Sequence, residues 1–251
     1  MLLKESSERK DLALSTDVFI SEGVCPICES DAVFIAHNSW FRDHLICKKC
    51  KSIPRERALM AALHKFTPVW REMVIHESSP STRGTSLKLK KENPNYIETQ
   101  FFSDKPLGDM VQGFRNENLS NLTFEDNSID IHITQDVMEH VLDIDACFAE
   151  IARTLKPHGM HIFTVPLVQG VCPTVQRAAM DSTGGVVHWV EPVFHGNPVC
   201  DEGSLVVWDW GYDIVHRIYE ASRMPTIVLQ IDDINSGIKA EYIDVLISIK
   251  A

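Results

Sequence analysis

From about residue 73 onward, short apolar runs alternate with segments whose apolar positions recur at helical spacing. MVIHE (73–77) is a compact run of the kind that forms a buried strand. TSLKLKKEN is predicted as a helix ending near Pro94, NYIETQFF as a second strand and DIHIT (Asp130–Thr134) as a third. The most regular stretch is Asp143–Leu155. There Ile144, Cys147, Phe148, Ile151 and Leu155 share one face of a helix, and Cys147 is expected in the core. Lys156-Pro157-His158-Gly159 supplies the stop, and MHIFTVP the next strand. Strands and helices alternating over short connections imply a doubly wound α/β sheet.

Residues 167–204 are rich in Gly, Pro and His and show no period, which predicts a long irregular segment of the sort used as a substrate loop or lid. SLVVWDW follows, then a helix from about Tyr212 to Ser222. PTIVLQID and YIDVLISIK read as a C-terminal antiparallel β-hairpin closing the sheet. Upstream, Pro54 opens a helix, RERALMAALHKF, with Leu59, Met60, Leu63 and Phe66 apolar. Three regions result: a lead-in over 1–22, a cysteine module over 23–53, and a large domain over 54–251.

The cysteine module carries Cys25-Pro-Ile-Cys28 and Cys47-Lys-Lys-Cys50. Two residues between cysteines let both thiolates of a pair reach one tetrahedral ion, and four thiolates leave no open position. The pattern predicts a small zinc ribbon with a structural Zn2+ held by Cys25, Cys28, Cys47 and Cys50. His37 and His44 lie between the pairs, but four sulfurs suffice.

Composition narrows the function classes. The chain has 251 residues, 44% hydrophobic and 24% charged, with a formal net charge of −11. An acidic total argues against a protein whose main task is gripping nucleic acid, since phosphate neutralisation needs a basic face. Lys88–Lys91 is the longest basic run and reads as a solvated helix face. The polar opening MLLKESSERK and the lack of a long apolar stretch predict neither export signal nor membrane span. With paired cysteines spaced for metal, the expected location is the cytoplasm.

Four landmarks make residues 73–166 resemble a class I S-adenosylmethionine-dependent methyltransferase. VIHESSPS (74–81) stands where that family has a strand, an acidic residue and a glycine-rich turn, here with Ser79 and Ser81 in the glycine positions. YIETQFF is the second strand. ENLSNLTFEDNSIDIHIT and QDVMEHV…RTLKPHG are close to the family's runs around its fourth strand and the following helix. The resemblance implies a Rossmann-like doubly wound sheet and S-adenosyl-L-methionine as cofactor. By position it assigns cofactor contacts to Glu77, Ser79, Ser81, Gln100, Asn118, Leu119, Gln135 and Asp136. The CxxC pairs followed by Ser52, Arg55 and Arg57, with HGNP and DWGYD downstream, also resemble zinc-ribbon methyltransferases of bacteria.

Methyl transfer requires alignment and, for a hydroxyl acceptor, a base. The candidates are His140, His188 and His195, the last two flanking WVEPVF with Glu191 between them. Asp209, Trp210 and Tyr212 are expected to close a pocket. The acceptor expected is a small molecule or a glycan, methylated on oxygen or nitrogen. Two other readings are an rRNA or tRNA methyltransferase using Lys48, Lys49, Lys51, Arg55 and Arg57 as a basic patch, and a non-catalytic interaction protein with a degenerate cofactor site.

Overall fold

The computed structural model describes residues 19–197 and 200–251, so the predicted lead-in falls outside the described residues up to residue 18. The cysteine module is a three-stranded sheet of β1 (Phe19–Cys25), β2 (Ser30–Ala36) and β3 (Ile46–Cys47), with a short α1 (Phe41–His44) before β3. β1 and β2 pair antiparallel with Cys25 opposite Ser30, which places the first cysteine pair at the hairpin end. α2 (Pro54–Phe66) starts with proline at its first turn, where no amide partner is needed, and the Glu56 carboxylate accepts the Ile53 amide at 3.0 Å.

The large domain runs β4 (Ile75–Ser78), α3 (Gly84–Glu92), β5 (Tyr96–Gln100), β6 (Met110–Val111), β7 (Phe114–Asn116), β8 (Ile129–Gln135), α4 (Ile144–Thr154) and β9 (Leu155–Thr164). β10 (Val175–Gln176), β11 (Ala178–Met180), β12 (Val186–His188), β13 (Phe194–Asn197), β14 (Cys200–Leu205) and β15 (Trp208–Asp209) follow. The chain then closes with α5 (Ile214–Ser222), β16 (Thr226–Leu229) and β17 (Val245–Ile249). The central sheet has eight strands in the order β16-β17-β9-β8-β4-β5-β7-β6. β9, β8, β4, β5 and β7 are parallel, and β17 lies antiparallel between β9 and β16, as the C-terminal pattern predicts. Strand order reverses between β4 and β8, so their carboxyl ends form the crevice where open α/β sheets bind ligands.

Alternation along the strands sorts side chains into two cores. Ile162 and Ile247 join the cysteine module and α2 on one face, while their neighbours Phe163 and Leu246 join α4 and α5 on the other. α4 buries Ile144, Cys147, Phe148 and Ile151, and the Asp143 carboxylate caps it by accepting the Ala146 amide.

Two sequence expectations are corrected. Residues 167–204 are not irregular: β10 pairs with β15, β11 with β12 and β13 with β14. These strands are too short to show alternation, and turn chemistry sets them, as where Asp181 accepts the Thr183 and Gly185 amides. Lys88 is buried, bonded to Glu92 at 2.7 Å and 3.4 Å from Glu29, so the solvated face of the basic run is Lys90 and Lys91 alone. Trp210 is fully buried and stacked on Trp208, both of them lining a cavity with Asp213 and Ile214, and Asp209 pairs with Arg177.

Candidate functional site

The four cysteines converge. Their sulfurs lie within 4.8 Å of one another, with Cys25 and Cys50 3.8 Å apart and Cys28 and Cys47 also 3.8 Å apart. An ion about 2.3 Å from four tetrahedral sulfurs sets them roughly 3.8 Å apart, so this donor set fits zinc without rearrangement. The Ser52 hydroxyl lies 3.1 Å from the Cys50 sulfur. Behind it, Arg57 is fully buried and spends its guanidinium on the carbonyls of Ser52, Leu45 and Gly237.

At the switch point β4 ends in the turn that the resemblance marks. Ser79 adopts φ +54°, the left-handed conformation that glycine takes without penalty, at a cost of about 1–2 kcal/mol for a residue with a Cβ. Its amide donates to the Thr99 carbonyl at 2.8 Å and its hydroxyl to Gln100 Oε1 at 3.0 Å, so it links the ends of β4 and β5. Glu77 is wholly buried. Ser86 Oγ and Gln135 Nε2 donate to its Oε1, and Tyr96 OH to its Oε2, each at 2.7 Å. Burial raises the Glu77 carboxyl above the usual range, although these hydrogen bonds oppose the shift. Ser86 Oγ also accepts the Ser81 amide at 3.0 Å, so a Glu77–Ser86–Ser81 chain fixes the turn from beneath. The glycine nearest this turn, Gly84 at φ +57°, serves packing: a Cβ there would lie 2.3 Å from Glu56 Oε2.

Asn118 holds a local turn, its Oδ1 accepting the Ser120 amide at 3.0 Å, and Leu119 beside it is buried. Asn116 was not singled out from the sequence. It is fully buried, and its amide binds the carbonyls of Phe102, Lys105 and Pro106, shaping the loop after β5.

Asp136 stands just past β8 at φ +53°. Arg42 Nη2 lies 2.6 Å and Arg55 Nε 3.1 Å from its Oδ2, and Thr164 Oγ1 donates to its Oδ1 at 3.1 Å. Burial opposes its charge, but Arg42 and Arg55 outweigh that and hold the carboxyl below the ordinary range. This residue, assigned a cofactor contact by position, is bound to the cysteine module's side of the protein.

The Met138–His140 turn then brings Glu139 and His140 under the β13–β14 hairpin. His140 Nδ1 lies 2.8 Å from the Leu205 carbonyl oxygen, and the Val207 amide donates to the Glu139 carbonyl at 2.7 Å. His195, from β13, faces His140 edge-on with ring centroids 5.1 Å apart. Of the three candidate bases, the structure thus brings His140 and His195 together around Glu139. His188 lies exposed on β12 opposite Ala178 and is outside the described cluster, as is Glu191. Glu139 was not singled out from the sequence, although the Glu139-His140 pair sits inside the QDVMEHV run.

With the fold and site in place, residues 86–163 match the family model described as "Methyltransferase domain". None of the curated proteins matches the chain. Among solved structures, an S-adenosylmethionine-dependent methyltransferase from Mesorhizobium loti aligns at 12% identity over 77% of this chain and 98% of its own, with a TM-score of 0.47. The YcgJ protein from Bacillus subtilis aligns at 14% identity over 77% and 98%, with a TM-score of 0.47. The 1,6-didemethyltoxoflavin-N1-methyltransferase from Burkholderia thailandensis aligns at 14% identity over 78% of each chain, with a TM-score of 0.44. The family match is confined to residues 86–163, from α3 to the end of β9. Among the described residues no helix is long and apolar enough to cross a membrane.

Proposed function

We propose that this chain transfers a methyl group from S-adenosyl-L-methionine to oxygen or nitrogen of a small-molecule or glycan acceptor, and that Cys25, Cys28, Cys47 and Cys50 hold a structural Zn2+. The observation that carries the reading is the crevice at the carboxyl ends of β4, β5 and β8. There the left-handed Ser79 turn is bonded to the Gln100 side chain at the end of β5, and the Glu139–His140–His195 cluster follows the end of β8.

The residues present fit the cofactor through neutral donors and acceptors. Ser79, Ser81, Gln100, Asn118, Leu119 and Gln135 would line its amino-acid, ribose and adenine ends, hydrogen-bonding hydroxyls with hydroxyl and amide groups. Glu77 acts one step behind, fixing the turn through Ser86. Asp136, paired with Arg42 and Arg55, braces the end of β8. When bound, the cofactor supplies an activated methyl sulfonium. The protein's task is then alignment of the acceptor and removal of its proton. We place proton removal at the Glu139–His140–His195 cluster and leave His188 outside it.

A small acceptor is favoured over RNA because two of the five cations in the expected basic patch are spent internally. Arg57 is fully buried on three carbonyls, and Arg55 pairs with Asp43 and Asp136.

Calorimetric titration with S-adenosylhomocysteine tests the cofactor assignment. Wild type is expected to bind, and Glu77→Ala to bind at least ~10-fold more weakly, about 1.4 kcal/mol, because the turn loses its support. No binding by folded wild type sinks the enzyme reading, and unchanged affinity in the variant removes Glu77 from it. Radiolabelled methyl transfer onto metabolite pools, compared with total RNA, decides the acceptor class.

A further inference from the structure

Glu139 is 1% exposed, and neither of its carboxylate oxygens has a hydrogen-bond partner among the described residues. An ionised carboxylate taken from water without a partner costs several kcal/mol, so a proton or a cation must answer it. The guanidinium groups in this region do not, because Arg42 and Arg55 are bound to Asp136. What faces Glu139 Oε1 instead is two imidazoles, His140 Nε2 at 3.7 Å and His195 Nδ1 at 3.9 Å. The three donor atoms all lie within 4.8 Å of one another.

The tautomer of His140 follows from its other contact. A backbone carbonyl only accepts, so the 2.8 Å approach of Nδ1 to the Leu205 oxygen puts the proton on Nδ1. Nε2 then keeps its lone pair, directed toward Glu139. Anchoring a ligating histidine by its second nitrogen is how proteins orient metal-binding imidazoles.

We propose that Glu139, His140 and His195 form a binding site for one divalent transition-metal ion, through Glu139 Oε1, His140 Nε2 and His195 Nδ1. An ion about 2.1 Å from three donors in tetrahedral arrangement sets them roughly 3.4 Å apart, so each histidine nitrogen needs to approach Glu139 Oε1 by a few tenths of an ångström. Two imidazoles and a carboxylate suit ions such as Zn2+, Fe2+ or Mn2+, in contrast to the all-sulfur set of the cysteine module. Three protein ligands leave positions open. His195 is 47% exposed, so the site is reachable from solvent. There the ion would take oxygen donors: water, or an acceptor hydroxyl whose proton it releases more easily to solvent. That last use rests on the methyl-transfer reading, whereas ion binding does not.

The test uses the full chain and Mn2+, which four thiolates bind poorly, with bound ion read from the loss of the free-ion electron paramagnetic resonance signal. Wild type is expected to take up one Mn2+ per chain. His195→Ala and Glu139→Gln are expected to bind at least ~10-fold more weakly, and His188→Ala as wild type does. His195 is exposed enough for its variant to keep the fold, which thermal unfolding run in parallel verifies. No saturable Mn2+ binding by wild type, or wild-type affinity in His195→Ala, overturns the proposal. Titration with S-adenosylhomocysteine reports separately on the methyltransferase reading.

Discussion

Replacing Arg57 by methionine keeps the apolar stem and volume but deletes a buried guanidinium. In the wild type, Nε and Nη2 donate to the Gly237 carbonyl at 3.0 and 2.6 Å, Nη2 also donates to the Leu45 carbonyl at 2.7 Å, and Nη1 donates to the Ser52 carbonyl and hydroxyl. The Ser52 carbonyl retains the Cys47 amide as a second donor, so two acceptors, Leu45 and Gly237, lose the partners that this side chain supplies. An orphaned buried acceptor costs about 1–3 kcal/mol, or about 2–6 kcal/mol for the pair. Loss of the cation over the Phe34 ring, 4.8 Å from its centroid, adds about 0.5–2 kcal/mol. Relief of the guanidinium's own desolvation, which pulls the Arg57 pKa below its usual value, offsets part of this. The expected net loss is about 3–5 kcal/mol, the range for breaking a buried charge network from one side. Urea unfolding followed by tryptophan fluorescence measures it, with chelator-driven metal release as a local readout. A loss below ~1 kcal/mol, with unchanged metal release, would refute the claim that Arg57 ties the cysteine module to the loop at Gly237.

Two further outcomes follow from the structure. Cys25→Ser and Cys50→Ser should each lose stoichiometric zinc by elemental analysis and unfold the N-terminal module at lower denaturant; full zinc retention in either would show the four-thiolate assignment wrong. His161 is fully buried with its pKa pushed down to about 3 by desolvation, from an unfolded value near 6.5. Its contribution is therefore complete above pH ~6.5 and is lost as the pH falls toward 3, at about 1.4 kcal/mol per pH unit. His161→Gln removes that slope, so the stability gap between wild type and variant should shrink with acidification; parallel curves from pH 6.5 to 4 would contradict the buried neutral state.

How much of this was legible in the sequence depends on the range of the interaction. α4 could be read because Ile144, Cys147, Phe148 and Ile151 repeat at the period of a helix, and all are buried. The cysteine set could be read because each pair carries its own spacing. The crevice was legible only as a position in the strand order, since the partners of Asp136 arrive from far away: Arg42 is 94 residues upstream. Arg55 and Arg57 looked like a surface patch because composition cannot show that three carbonyls converge on one guanidinium. His195 and Glu139 meet only because the β13–β14 hairpin folds over the end of β8, and that hairpin carried no periodic signal.

Those long-range contacts change what the cysteine module is for. It does not hang from the large domain by a linker. A Cβ added at Gly23 would lie 1.8 Å from the Asn235 carbonyl oxygen, so β1 sits directly against the loop before β17. From the same side Arg57 binds Gly237, while Arg42 and Arg55 reach Asp136. Asp136 in turn acts on Glu139, whose carboxyl burial pushes well above the usual range and the Asp136 charge pushes further. If the module moved, Asp136 would lose Arg42 and keep Arg55, and its charge would bear on Glu139 with half the compensation. The cysteine module therefore contributes Arg42 to the electrostatics at the carboxyl end of β8, where the Glu139–His140–His195 cluster stands. In that sense the sulfur centre is structural for the crevice as well as for its own small sheet.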